Sequence, residues 1–463
     1  MLLATGCALC WLGAPLIWDG AYQLCLTLVN QRPFFYETRF HSYPLWLPVV
    51  WLSRAVDNLH ALVFLYGLPF CIAPAASLLL SWWIVGRSAP WLIVWPALGI
   101  AGITLPGQIF VTNDSVFQQH LFWPVFLGLL VPLTWPRAIT VIILALFQLS
   151  HPVGVLLLAS AIVSAACLVV FDAGNRRRHV SCVIFGSVLG VSALTKTILW
   201  PDVYAQKEAS WHVLWDRFLT GVSGWPAMCV ILIWVCAIFV WLHGRDPAPT
   251  RNRLHFSGLR LKYAPAAAFL TAVVAGSCLL FWATDPHLWS SAANYRRWVA
   301  PFTVPLLAFA VMEVLRRPAR ATADASDRLR AVIVLTCCIA FAAVLSIQAL
   351  GWQNLTRHLM ADVRDFKDWM VPQEAIDWIH ATPLDHWSTP SYVLLLQGRR
   401  PSKLLLPMDA VSALRAPQPR IALAPWDLRS IAGESNAWFD FTIIAEQLHE
   451  NPAVHLAKPR RKN

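Results

Sequence analysis

Apolar runs long enough to cross a lipid bilayer recur along most of the first 350 residues of this chain. A helix needs about 20 predominantly apolar residues to span the hydrocarbon core. Counting runs of that kind predicts an all-α polytopic membrane bundle with about eleven transmembrane helices. The predicted spans are residues 2–18, 59–84, 90–106, 116–134, 138–150, 153–171, 180–200, 225–242, 264–283, 299–315 and 331–350.

The apolar pattern stops near Gly351, where acidic, amide and turn-forming residues become frequent. This change divides the chain into a transmembrane domain, residues 1–350, and a soluble domain, residues 351–463. In the soluble domain, the segment 362–383 has apolar residues at helical spacing, and the segment 391–407 is typical of two short strands joined by a turn at Gly398 to Pro401. We therefore expect the C-terminal domain to be a small α/β unit.

Composition and charge support a membrane protein and set its orientation. Hydrophobic residues make up 57% of the chain and charged residues 13%, which excludes an ordinary soluble globular domain. The net charge of +11 would suit a nucleic-acid partner, but the basic residues lie in short connections such as Arg176–Arg178. By the positive-inside rule these connections are cytoplasmic. The rule predicts a cytoplasmic N-terminus and an extracytoplasmic C-terminal domain. With the composition, we expect a bacterial inner membrane protein with membrane lipids as neighbours, and the distribution of charge favours no nucleic-acid partner.

The start of the chain and its cysteines do not alter the prediction of a membrane bundle. No lysine or arginine precedes Arg32, so the first apolar segment lacks the basic region of a cleaved signal peptide and predicts a retained helix. The 11 cysteines lie in or beside apolar segments and are typical of buried small hydrophobes. Cys7 and Cys10 form a CxxC pair without a second pair. No metal ligands and no cofactor are therefore predicted, and a divalent cation stays an open alternative.

Two acids begin apolar or amphipathic segments at the predicted outer surface. Asp19 directly follows the first apolar run and opens the predicted outward loop 19–58, and Asp114 precedes another apolar run. Either carboxylate would suit proton transfer at the mouth of a cavity. Either would equally suit the N-terminus of a helix, where Asp caps the free backbone N–H groups. Position alone leaves both interpretations open.

The segment after the first helix reads D-x-x-Y at Asp19 and Tyr22, then an amphipathic stretch, then Phe34 to Glu37 and Tyr43-Pro44-Leu45. This order resembles the first extracytoplasmic loop of GT-C glycosyltransferases, and most closely the aminoarabinose transferases and protein mannosyltransferases. The resemblance implies a GT-C-like fold and a catalytic acid or base at Asp19, with Asp114 filling the place of a second acid. It departs from the family at Asp19-Gly20, where members often carry two adjacent acids. It also implies substrate-binding roles for Tyr22, Glu37 and Arg39.

A late segment, Asn294 to Pro301, is similar to the basic and aromatic entry of a late helix in the same enzymes. Arg296 and Arg297 fit this place because a guanidinium binds phosphate oxygens in a bidentate manner and keeps its charge. An arginine pair that reaches to lipid headgroups is the alternative. His151, at the break between two spans, is a further candidate for the donor phosphate, although Pro152 alone explains the break. Lys196, Lys207, His212 and Arg217 are weaker candidates of the same kind.

Together these features imply a membrane glycosyltransferase. It would move a sugar from a polyprenyl-phosphate donor to an extracytoplasmic glycan, lipid or protein acceptor. Two other classes stay open: a transporter or flippase of a lipid-linked or small solute, and a non-catalytic subunit of an envelope polysaccharide assembly. Against a transporter, the sequence shows no inverted or parallel repeat.

Overall fold

The computed structural model describes residues 1–17, 19–33, 42–86, 89–104, 112, 114–150, 153–171, 173–199, 323–382, 384 and 388–406, with short pieces inside 215–220, 300–304 and 411–444. These residues are mostly helical. The helices are α1 (Leu2–Trp11), α2 (Asp19–Asn30), α3 (Ser42–Ser53), α4 (Leu59–Val85), α5 (Val94–Thr104), α6 (Asp114–Leu130), α7 (Trp135–Phe147), α8 (Val153–Phe171), α9 (Arg176–Leu199), α10 (Ala323–Asp365) and α11 (Thr389–Leu396). The strands are β1 (Met370–Pro372), β2 (Leu404–Leu406), β3 (Ala422–Leu423) and β4 (Trp426–Asp427).

Several of these helices suit a membrane. Among the described residues, four helical segments are long and apolar enough to cross one: Leu59–Val85, Val153–Val170, Arg176–Lys196 and Ile333–Asp365. They coincide with four of the predicted spans, so the chain is a membrane protein with several apolar helices. The count of eleven spans stays a prediction. The helices in the predicted spans 2–18, 90–106, 116–134 and 138–150 have 10, 11, 17 and 13 residues and are not among these four candidates. The predicted spans 225–242 and 264–283 lie outside the described residues, and 299–315 lies almost wholly outside them.

The first predicted span, residues 2–18, differs from the structure. Helix α1 ends at Trp11, and Gly13 has a φ of 80°, a left-handed conformation that favours glycine and stops the helix. A 3₁₀ turn then covers Ala14–Leu16. At about 1.5 Å per residue, the 10 residues of α1 are too short to cross a bilayer.

The chain divides into two compact units. The first takes in the described residues of Met1–Cys7 and Phe70–Gln348, and the second those of Ala8–Phe35, Phe40–Pro69 and Ala349–Asn463. The transmembrane and soluble domains predicted from composition, residues 1–350 and 351–463, stay a prediction. The second unit groups the described residues of segment 19–58 with those of the C-terminal tail.

In the first unit, α6 packs against α5, α7 and α8, and α8 forms a hairpin with α9. Its core holds large rings that are almost wholly buried, with Trp123 and Phe126 edge to face at 5.8 Å between ring centroids. Helix α9 instead turns apolar side chains outward: Val191 is 62% exposed and Ile184 is 59% exposed. Such a helix suits a lipid environment and would be unfavourable in water.

In the second unit, the tail differs from the sequence-based prediction in two places. In segment 362–383, α10 continues only to Asp365, and Met370–Pro372 is a strand instead of a helix. Short 3₁₀ helices follow at Gln373–Ala375 and Asp377–Ala381. The first of the two predicted strands, around Tyr392, is helix α11, whereas the second is strand β2. Strands β1 and β2 pair in parallel, with Met370 opposite Leu404. Parallel strands cannot be joined by a tight hairpin, and α11 lies in the connection between them.

Candidate functional site

Asp19 is the first residue of helix α2 and is partly exposed. The backbone N–H of Gly20 donates to the carbonyl of Ile17 at 3.3 Å, which continues the preceding 3₁₀ turn directly into the helix. The N-terminus of a helix carries partial positive charge, and this favours the carboxylate of Asp19. Tyr22, also partly exposed, follows three residues later, at a spacing that makes side chains neighbours on a helix surface. The structure therefore brings these two predicted site residues onto one helix face.

The opposite side of α2 is fixed in a buried interface. Ala21, Leu24, Cys25 and Leu28 have no exposed surface. The phenol of Tyr66, also fully buried, donates to Oε1 of Gln23 at 3.2 Å. A buried hydrogen bond of this kind sets the rotation of α2 about its axis, because a turned helix would leave the acceptor unsatisfied.

A close backbone approach sets where α2 begins. A Cβ atom added to Gly67 of α4 would lie 1.9 Å from Cγ of Pro15, so only glycine lets the 3₁₀ turn Ala14–Leu16 approach this helix. That turn also packs against α2. Gly67 thus positions the segment that leads into Asp19.

Helix α11 of the C-terminal tail packs directly on α2. It is held in turn by Tyr392, whose Oη accepts a hydrogen bond from Nε1 of Trp352 at 2.9 Å and lies 2.7 Å from the hydroxyl of Thr356. Burial raises the pKa of Tyr392 to about 12. An exposed ion pair between Arg399 and Asp57 links the tail to the segment before α4. The tail is therefore anchored on the helix that carries Asp19.

This anchor was not predicted from the sequence. Trp352 and Thr356 are four residues apart in α10 and so share a face, which is the only local signal. Their partner Tyr392 comes about forty residues later, in a segment that resembled a strand. Neither spacing nor composition relates such distant positions.

The remaining predicted site residues are placed only in part. Asp114 begins α6, as the pattern predicted, and belongs to the first unit; its side chain lies outside the described residues. Convergence of Asp114 with Asp19 stays a prediction. Glu37, Arg39, His151, Arg296 and Arg297 all lie outside the described residues.

Buried polar side chains in the first unit hold the turn that precedes His151. Nε2 of Gln118 donates to the carbonyl of Phe147 at 3.2 Å, and Nε2 of Gln148 donates to the carbonyl of Gln118 at 3.3 Å. Nζ of Lys196, a predicted phosphate ligand, donates to the carbonyl of Leu149 at 3.2 Å. The structure therefore places the ammonium of Lys196 against the turn Gln148–Ser150, which leads into position 151.

The described residues contain no group of three or more His, Cys, Asp or Glu side chains that could hold a metal ion. Comparison with protein-family models, with curated proteins and with solved structures finds no match. The function is therefore inferred from the residues and their arrangement.

Proposed function

We propose that this protein is an integral-membrane glycosyltransferase with a GT-C-like fold that uses a polyprenyl-phosphate sugar as donor. The observation that carries the proposal is the packing of α11 on α2. This packing anchors the C-terminal tail on the helix that has Asp19 and Tyr22 in its first turn. The GT-C resemblance calls for an acid after the first apolar segment and an outward soluble domain that covers it. Charge patterning independently predicts loop 19–58 and the tail on the same side of the membrane, and one compact unit holds the described parts of both.

In the proposed reaction, the carboxylate of Asp19 accepts the proton of an acceptor hydroxyl. The hydroxyl oxygen forms a bond to the anomeric carbon as the bond from that carbon to the phosphate oxygen breaks. The electron pair leaves with the polyprenyl phosphate, and the configuration at the anomeric carbon inverts. Asp114 serves as a second acid that orients the acceptor, and Tyr22, Glu37 and Arg39 line the substrate site.

The leaving phosphate needs cationic partners, because its negative charge grows as the bond breaks. Arg296 and Arg297 fill this role in the proposal, with His151 beside them. Lys196 is a fourth candidate, supported by its contact with the turn before residue 151. The proposed acceptor is a glycan, lipid or protein of the cell envelope, and the proposed location is the bacterial inner membrane with the tail outside.

The test measures transfer of radiolabel from a panel of polyprenyl-phosphate sugars to envelope glycans, lipids and proteins. Membranes containing the wild type are compared with membranes containing Asp19→Asn. Asparagine begins a helix about as well as aspartate, so the fold of α2 should be kept. Asp365→Asn is the matched control, because Asp365 is an exposed acid of the same unit at the end of α10. Transfer that survives only in the wild type and the control supports the proposal, and no transfer from any donor contradicts it.

One observation favours a second function, transport of a lipid-linked or small solute. Gln118, Gln119 and His120 are buried side by side in α6 of the first unit. Polar groups inside a membrane protein often line a solute path. Uptake or flipping of a labelled solute by proteoliposomes, with no transfer of sugar, would favour this function over the enzyme.

A further inference from the structure

The first unit contains an open groove of about 480 Å³ between residues of four segments of the chain. It is lined by Met1 and Leu2 at the start of α1, Trp82 of α4, Ile93, and Arg330, Ala331, Val334, Leu335 and Cys338 of α10. Most of these side chains are apolar, and Arg330 contributes a guanidinium. A mostly apolar groove with a guanidinium in its lining has the chemistry of a site for an anionic amphiphile.

The groove lies beside the ends of two candidate membrane spans. Trp82 comes within one helical turn of Val85, where one candidate span ends, and Arg330 comes within one turn of Ile333, where another begins. Trp82 is 46% exposed and Leu335 is 57% exposed, so the apolar walls are open to the surroundings. Tryptophan favours the membrane interface for its amphipathic ring, and arginine favours it for contact with phosphate.

We propose that this groove binds one anionic phospholipid, with its phosphate on Arg330 and its acyl chains along Val334, Leu335 and Cys338. The charge of Arg330 selects an anionic headgroup over a zwitterionic one. Arg87 follows Trp82 in the sequence, and four arginines between positions 316 and 328 precede Arg330, so both connections are predicted to be cytoplasmic. Asp19 is predicted on the outer face, so the occupant is a phospholipid and not the proposed sugar donor. Basic pockets between transmembrane helices on the cytoplasmic side characteristically take anionic headgroups.

The site is tested on the full-length protein purified in detergent, with native mass spectrometry used to count retained lipids. Phosphatidylglycerol and phosphatidylcholine are offered at equal concentration. We expect one phosphatidylglycerol to be retained by the wild type, and Arg330→Gln to weaken its retention about tenfold or more, as expected when a charge-assisted contact to phosphate is lost. Arg177→Gln is the matched control: Arg177 is an exposed arginine at the start of α9, in a connection that is also predicted to be cytoplasmic.

A second variant tests the same groove in case Arg330→Gln destabilises the fold. Val334→Trp fills the groove without changing charge, and we expect it also to reduce the retained phosphatidylglycerol. Equal retention of the two phospholipids, or retention unaffected by both groove variants, would overturn the proposal. Displacement of phosphatidylglycerol by an equal concentration of a prenyl phosphate would overturn the assignment to a phospholipid.

Discussion

The buried phenol of Tyr392, which contacts Trp352 and Thr356, predicts a specific loss of stability at high pH. Tyr392 is 4% exposed, and burial raises its pKa from 10.0 to about 12. Between these two values, the unfolded chain releases the phenolic proton while the folded protein keeps it. The contribution of this group is therefore fully present below pH 10 and is lost as the pH rises through about 12. A shift of about two pKa units corresponds to about 2–3 kcal/mol in the free energy of unfolding.

The perturbation is Tyr392→Phe, which removes the titrating group and keeps the ring. At neutral pH we expect this variant to lose about 1–3 kcal/mol, because the buried Nε1 of Trp352 no longer has its acceptor. Between pH 10 and 12 we expect it to lose about 2–3 kcal/mol less than the wild type, so the two stability curves converge.

The assay is denaturant unfolding of the purified protein in detergent, followed by circular dichroism from pH 8 to 12. Trp352→Phe is the matched control, since it breaks the same hydrogen bond but keeps the phenol of Tyr392. This control should lose stability at neutral pH and still show the wild-type decline above pH 10. If Tyr392→Phe and the wild type decline in parallel, the reasoning from burial is refuted.

Two other perturbations test packing and surface charge. A Cβ atom at Gly99 would lie 1.7 Å from Cζ2 of the fully buried Trp123, so Gly99→Ala should cost about 1–3 kcal/mol or more in thermal unfolding experiments. Gly190→Ala is its control, because the added atom would meet only a side-chain carbon at 3.6 Å; it should be neutral or stabilising by up to about 1 kcal/mol. Equal melting temperatures for the two variants would contradict this packing. The pair Asp57–Arg399 is exposed on both sides, at 69% and 45%, so Asp57→Asn should change the free energy of unfolding by less than about 1 kcal/mol in denaturant titrations. A larger loss would show that this link holds the tail.

The hydrophobic pattern predicted helices well where a long apolar run decides the structure alone. The predicted spans 59–84 and 153–171 agree with the helices Leu59–Val85 and Val153–Phe171 to within one residue at each end. The pattern failed in the tail, where runs are short. The first strand predicted in segment 391–407 is instead part of helix α11, Thr389–Leu396. Pro390 lies in the first turn of this helix, a favoured place for proline. The burial of α11 on α2 and β2 supports the helix, and sequence periodicity does not report such contacts.

In the candidate site too, features set by neighbouring residues were predicted, and contacts between residues far apart in the sequence were not. Asp19 and Asp114 were predicted at the beginnings of segments, and each is the first residue of a helix. Such positions follow from neighbouring residues. The hydrogen bond between Tyr66 and Gln23, which fixes the orientation of α2, joins residues 43 positions apart and has no local signature. The sequence therefore indicated where an acid could act, and packing determined what holds it there.

The most direct test of the proposed activity is the turnover of purified Asp19→Asn relative to wild type, measured with the donor that the label-transfer panel identifies. General-base catalysis typically contributes about 10²–10⁴ in rate, so we expect turnover to fall by that factor while the unfolding curve stays close to that of the wild type. Turnover of Asp19→Asn near the wild-type value would remove Asp19 from the reaction and contradict the proposed mechanism.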